Sequence, residues 1–127
     1  MEINKYDLKD RLIRFACMCL DICDSLPSTR AANNLEHQLA KSATAPALLY
    51  GEAQAAESSS DFIHKMKIAL KELMETRINL RIIKEKPLLS NEKIDPLLKE
   101  CNELIAIFTS SIETAKRNTK QKNRVTE

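Results

Sequence analysis

The segment that decides the fold is residues 58–86, SSSDFIHKMKIALKELMETRINLRIIKEK. Its mostly apolar stripe recurs at alternating spacings of four and three residues, which places it along one side of an α-helix. Ser58 and Asp61 approximate a capping box before this helix. Lys84 places a cation near its C-terminus, and Pro87 then ends it. The segment therefore predicts one long helix, helix 3, with the stripe Phe62, Met66, Ala69, Leu73, Thr76, Leu80 and Ile83.

Three further segments, residues 8–26, 35–56 and 94–112, repeat the same spacing and are separated by short breaks. Gly51 is the only glycine, whereas hairpin-rich sheet proteins need glycine for their turns. Short connections make sequential helices antiparallel. The pattern predicts an all-α, up-down-up-down antiparallel four-helix bundle over residues 1–117. Residues 118–127 lack an apolar period, and we expect a disordered basic tail there.

Helix 2 contains two residues that helices avoid. Pro46 costs about 3 kcal/mol in a helix interior and Gly51 about 1 kcal/mol. We expect these residues to kink a long helix. The alternative is that helix 2 ends early and a second short helix follows.

Helix 3 carries more apolar residues than one buried side requires. Ile63, Leu70 and Met74 lie on a flank of the stripe, and Ile78 and Ile82 lie further round. The excess predicts contacts between copies of the chain, although imperfect amphipathicity is an alternative. The predicted contact residues on helices 2 and 3 are Pro46, Leu49, Tyr50, Ile63, Leu70, Met74 and Ile78.

The net charge of +2 is unevenly distributed. Residues 116–127 carry five basic side chains against one acidic, a net +4, so the remainder of the chain carries −2. A second basic group on one face of helix 3 can meet phosphate or can be a solvated face. For Glu72 and Glu75, beside the helix 3 stripe, we expect ion pairs between helices. The candidate nucleic-acid contacts are Arg77, Arg81, Lys84, Lys116, Arg117, Lys120, Lys122 and Arg124.

The sequence offers no set of residues for catalysis or cofactor binding, and we expect no enzyme. One glycine excludes a glycine-rich phosphate loop. The sequence contains four cysteines. Either two of them, Cys19 and Cys23, form a redox or metal pair, or the cysteines are small core residues. The absence of a Cys-x-x-Cys pair favours the core interpretation, so we expect no metal site. No apolar run is long enough for a membrane span and the N-terminus does not resemble a signal peptide, so we expect a cytoplasmic protein.

Two stretches carry a family resemblance: residues 41–58, KSATAPALLYGEAQAAES, and residues 61–77, DFIHKMKIALKELMETR. They resemble the bacterial four helix bundle protein family, which includes proteins encoded in intervening sequences of 23S rRNA genes. The chain is also similar to the accessory variability determinant of diversity-generating retroelements. The resemblance implies a ring-shaped homopentamer, and in the retroelement branch a basic pentamer binds a reverse transcriptase and nucleic acid.

Two functional hypotheses follow. In the first, the chain is a non-enzymatic scaffold that associates with itself, as a homopentamer, through helices 2 and 3. In the second, it is an RNA- or DNA-binding accessory protein of a reverse transcriptase or of an rRNA intervening-sequence system. Neither hypothesis includes a membrane or a small-molecule substrate.

Overall fold

The protein is a bundle of four helices. The computed structural model describes the backbone of residues 5–126 and the side chains of residues 8–121. No strand occurs in this part of the chain. Each helix packs against the next, and α1 also packs on α4, which closes the bundle and confirms the predicted fold class. The helices are α1 (Lys5–Ser25), α2 (Arg30–Gln54), α3 (Ser59–Glu85) and α4 (Asn91–Thr126).

Side-chain caps start two of the helices. The Thr29 hydroxyl accepts a hydrogen bond of 3.1 Å from the Ala32 amide and begins α2. The Ser58 hydroxyl accepts one of 3.0 Å from the Asp61 amide and begins α3, as the sequence predicts. Each cap satisfies one of the amides that the first turn of a helix leaves without a partner.

The core is built from the predicted stripes. On α3, the predicted core-facing residues from Met66 onward are all buried, and Phe62 at the end of the bundle is half-buried. The core-facing residues of α1 are buried in the same way: Leu8, Leu12, Phe15, Cys19 and Ile22. The largest fully buried side chains come from all four helices and include Phe15, Leu39, Leu73 and Phe108.

Helix α2 runs without interruption through Pro46. The alternative of an early end followed by a second short helix is therefore wrong. Pro46 is fully buried, so its ring packs in the core and offsets part of its cost within a helix. The predicted bend at this residue stays a prediction.

Helix α4 extends into the segment for which the sequence predicts a disordered tail. Disorder was predicted from residue 118, whereas α4 is helical to Thr126. The segment has no proline or glycine to end the helix, and its two lysines, one arginine and one glutamine favour helices. Asn118 lines the same groove as Ser59 at the start of α3, so the last eight residues of α4 extend about 12 Å beyond it. We call residues 116–126 the α4 extension.

Among the described residues, no helix combines the length and the hydropathy that a membrane crossing requires.

Candidate functional site

Apolar side chains remain exposed along one face of α3. Ile78 is 59% exposed, and Met74 and Ile82, one turn before and after it, are 40% and 43% exposed. A spacing of four residues keeps them in line along a helix. We call Met74, Ile78 and Ile82 the α3 stripe. It confirms the predicted excess of apolar surface on this helix, because no described side chain of another helix covers its exposed parts.

A second exposed line runs along α1. Ile13 and Leu20 are exposed, and Cys17 lies between them and is also exposed. We call Ile13, Cys17 and Leu20 the α1 stripe. This line is outside the contacts predicted from the sequence, although its spacings of four and three residues, away from the core positions, are visible there.

The two stripes lie on opposite sides of the bundle. Both α1 and α3 pack against α2 and α4, and within the described helices they do not pack against each other. They therefore occupy diagonal corners, and residues opposite their buried faces point in opposite directions. Besides the stripes, the large apolar side chain described as exposed is Leu48 on α2.

The structure separates the predicted contact residues into three groups. Met74 and Ile78 are exposed, and Leu49, Ile63 and Leu70 are half-buried. Pro46 and Tyr50 are buried in the chain's own core, which corrects their assignment to a surface between copies. The Tyr50 ring packs edge-on against the Phe108 ring, with centroids 6.0 Å apart, and its hydroxyl accepts a 3.0 Å hydrogen bond from Gln54 Nε2.

The predicted basic face of helix 3 is largely neutralised within the chain. Arg81 Nη2 lies 2.7 Å from Glu85 Oε2, and Lys84 Nζ lies 2.6 Å from Asp95 Oδ1. Arg77 donates a 3.1 Å hydrogen bond to the Asn102 side-chain carbonyl. The two carboxylates lower the net positive charge of this face and weaken the case for phosphate binding, while Arg77 keeps its charge because its partner is a neutral amide.

The α4 extension presents free cations. Lys116, Arg117 and Lys120 are exposed, and among the described side chains none of them pairs with a carboxylate. Arg117 Nη2 donates a 3.4 Å hydrogen bond to the Thr114 hydroxyl. The side chains of Lys122 and Arg124 lie outside the described residues.

A buried polar cluster joins α2 to α3. Thr76 Oγ1 lies 2.9 Å from Ser42 Oγ, and Asn79 Nδ2 donates a 3.3 Å hydrogen bond to the same Ser42 oxygen. All three side chains are buried. Thr76 Oγ1 also lies 2.9 Å from the Glu72 carbonyl oxygen. We call Ser42, Thr76 and Asn79 the polar cluster; the sequence pattern places Ser42 and Thr76 on core stripes but does not pair them.

Glu72 lies beside the polar cluster and is electrostatically strained. Its Oε1 atom is buried without a hydrogen-bond partner, and the predicted ion pair from Glu72 or Glu75 to another helix is absent among the described side chains. Burial raises the pKa of the Glu72 carboxyl, and the neighbouring carboxylate of Glu75 raises it further. The two acids and Lys41 line a groove of about 340 Å³ between α2 and α3.

The cysteines follow the core interpretation, with one exception. Cys19, Cys23 and Cys101 are buried free thiols, and Cys17 is exposed. Cys101 Sγ donates to the Leu73 carbonyl at 3.3 Å, and burial raises the pKa of this thiol to about 12. In the described part of the chain, no three His, Cys, Asp or Glu side chains are grouped closely enough for a metal ion.

Comparison with known proteins places this arrangement in a family. The sequence model of the 23S rRNA-intervening sequence protein matches residues 4–110. The fold is similar to the crystal structure of a protein of unknown function from the S23 ribosomal protein family of Bacteroides thetaiotaomicron VPI-5482. The two are 27% identical, the match covers 83% of this chain and 97% of that one, and the TM-score is 0.78. A search of curated proteins found no match. The α4 extension lies beyond the residues that the family model matches.

Proposed function

This chain belongs to the 23S rRNA-intervening sequence protein family, and on that basis we propose that it works in the cytoplasm as a self-associating helical scaffold without enzymatic activity. The proposed assembly is a homopentamer. Its partners are further copies of the same chain, and the proposal includes no cofactor, metal or small-molecule substrate.

The α3 stripe is the observation that carries this proposal. Three large apolar side chains lie in line on a well-formed helix, and 40% to 59% of each is exposed to solvent in a single chain. Fully burying one such side chain contributes about 1.5–3 kcal/mol. Covering the exposed parts of Met74, Ile78 and Ile82 is therefore worth roughly 3 kcal/mol per copy, before the costs of association. A contact between copies realises this gain, whereas the isolated bundle does not.

Light scattering coupled to size exclusion at micromolar chain concentration tests the proposal. Five chains of 14.4 kDa give a particle of about 72 kDa. A particle of 14.4 kDa at every concentration would refute self-association. A stable dimer or tetramer would instead retain the scaffold and refute the pentamer.

We propose nucleic-acid binding through the α4 extension as a second candidate function. The supporting observation is the set of exposed cations Lys116, Arg117 and Lys120 without a carboxylate partner, on a helix that extends beyond the bundle. Each phosphate contact made by a cation releases counterions, so binding of this kind weakens steeply with salt.

Fluorescence anisotropy with a labelled RNA duplex and a labelled DNA duplex, titrated across salt concentrations, tests this candidate. Deleting residues 116–127 removes five cations, and we expect the salt slope on the DNA duplex to fall by up to about 4.5 per chain. The matched control is the double variant Arg81→Gln with Lys84→Gln, whose charges are already neutralised within the chain. Absence of binding by the full chain at low salt would exclude the candidate.

A further inference from the structure

We infer that copies of this chain contact each other head to tail, with the α1 stripe of one copy seated on the α3 stripe of the next. The inference rests on the proposed self-association and names the two surfaces that carry it. Neither surface is the one that the sequence predicted on helix 2, since Pro46 and Tyr50 are buried inside the bundle.

The position of the stripes favours two different surfaces over one surface used twice. A contact of α3 with α3 would cover its own stripe and leave Ile13 and Leu20 of both copies in water. A contact of α1 with α3 covers both stripes in every copy, because they lie at diagonal corners of the bundle. Of the large apolar side chains described as exposed, only Leu48 then stays outside the contact.

The charges around the stripes differ in sign. Among the side chains of α1 that the structure describes, from Leu8 onward, the exposed charged ones are three acids and two bases, a net −1: Asp10, Asp21, Asp24, Lys9 and Arg14. Exposed charged residues on α3 from residue 67 onward, together with its cap, are four bases and two acids, a net +2: Lys67, Lys71, Arg81, Lys86, Glu75 and Glu85. Opposite charge attracts α1 to α3, whereas α3 against α3 places like charges together.

The arrangement has a consequence for the size of the assembly. A surface that pairs with itself stops at a dimer, whereas two different surfaces add copies until a ring closes or a filament grows. Contact between α1 and α3 is thus the type of contact that a pentameric ring requires. An experiment that refutes the contact between α1 and α3 would still leave the proposal of self-association in place.

Complementary variants test the pairing. Ile13→Glu places a charge in the α1 stripe and leaves the α3 stripe intact, and Ile78→Glu does the reverse. We expect each variant alone to be a monomer with unchanged helical circular dichroism. An equimolar mixture should form a dimer of about 29 kDa, two chains of 14.4 kDa, because one intact α1 stripe meets one intact α3 stripe.

The matched control is Leu48→Glu, the same kind of exchange at an exposed apolar residue outside both stripes. We expect it to assemble like the unmodified chain. Loss of assembly in Leu48→Glu with retention in Ile13→Glu would overturn the inference and place the contact on α2. Assembly of Ile13→Glu with failure of Ile78→Glu, and no dimer on mixing, would show that α3 pairs with itself.

The exposed thiol of Cys17 gives a second readout within the α1 stripe. At a free chain concentration ten times the dissociation constant, we expect alkylation of Cys17 to be about ten-fold slower in the unmodified chain than in Ile78→Glu. Within one chain these residues lie at opposite corners, so only a neighbouring copy links them. Equal rates in a chain that light scattering shows to be assembled would refute the α1 contact while leaving the scaffold proposal standing. A chain that stays monomeric would refute both.

Discussion

Replacing Ser42 by alanine removes the hydroxyl that joins the two partners of the polar cluster. Ser42 Oγ lies 2.9 Å from Thr76 Oγ1 and accepts a 3.3 Å hydrogen bond from Asn79 Nδ2. After the exchange, Thr76 keeps the Glu72 carbonyl at 2.9 Å as a partner. The Asn79 amide has no other hydrogen bond from its side chain among the described residues and stays buried.

The expected cost follows from these partners. The lost hydrogen bond between hydroxyls is worth about 1 kcal/mol, and a buried donor without an acceptor costs about 1–3 kcal/mol. The higher helix propensity of alanine offsets about 0.5 kcal/mol of this loss in the free energy of unfolding. We therefore expect Ser42→Ala to lower the free energy of unfolding by roughly 2 kcal/mol. Thr76→Val leaves Asn79 bonded to Ser42 and should cost only about 1 kcal/mol.

Urea denaturation followed by helical circular dichroism measures both values. All chains are compared at one concentration, because assembly adds to the apparent stability. The double variant Ser42→Ala with Asn79→Leu removes donor and acceptor together, and we expect it to be more stable than Ser42→Ala alone. A loss below about 0.3 kcal/mol in Ser42→Ala, within the ordinary range of surface substitutions, would contradict the assignment of Ser42 as the shared acceptor.

Three further outcomes are expected. Glu72→Gln should be more stable than the unmodified chain at pH 7 and lose this advantage towards pH 4, in urea titrations at both pH values. The pKa of Glu72 is higher in the folded chain than in the unfolded chain, so protonated Glu72 stabilises the fold below the unfolded pKa. This stabilisation is lost as pH rises through the folded pKa. Arg11→Lys should cost about 1 kcal/mol in the same assay, because lysine cannot reproduce the two hydrogen bonds, 3.0 and 2.6 Å long, from Arg11 to Glu100. In Ile78→Glu, a thiol reagent at pH 8 should modify one cysteine per chain rapidly and all four only in urea, because three thiols are buried.

The sequence determines the interior of this fold more fully than its surface. Positions such as Leu73 and Phe108 follow from the heptad spacing, because burying an apolar side is the condition for a helix to join a bundle. The apolar spacing on both sides of Pro46 predicts one long α2 although propensity disfavours it, and α2 is continuous because packing in the core outweighs the local cost of proline. The neutralisation of Lys84 by Asp95 joins two helices and depends on their relative height, which periodicity does not fix.

The α1 stripe was missed for a related reason. A heptad search looks for the residues that face the core, and it treats Ile13 and Leu20 as ordinary exceptions on a polar face. Ile13 and Leu20 are recognised as part of a candidate contact surface only once α1 and α3 are seen to pack at diagonal corners. This packing places two apolar lines on opposite sides of one molecule. A spacing within one helix carries no information about the opposite side of the bundle.

Within α3, the positions of polar and apolar residues are partly reversed. Thr76 and Asn79 are polar and buried, while Ile78 and Ile82 are apolar and exposed. For the isolated bundle both choices are unfavourable, because the buried pair needs hydrogen-bond partners and isoleucine is a poorer helix former than lysine or glutamate. Together they suit an assembling protein: hydrogen bonds to Ser42 fix α3 against α2, and the exposed stripe then lies on a rigid surface. A rigid surface loses less conformational entropy when a second copy covers it, so more of the apolar gain is retained on association.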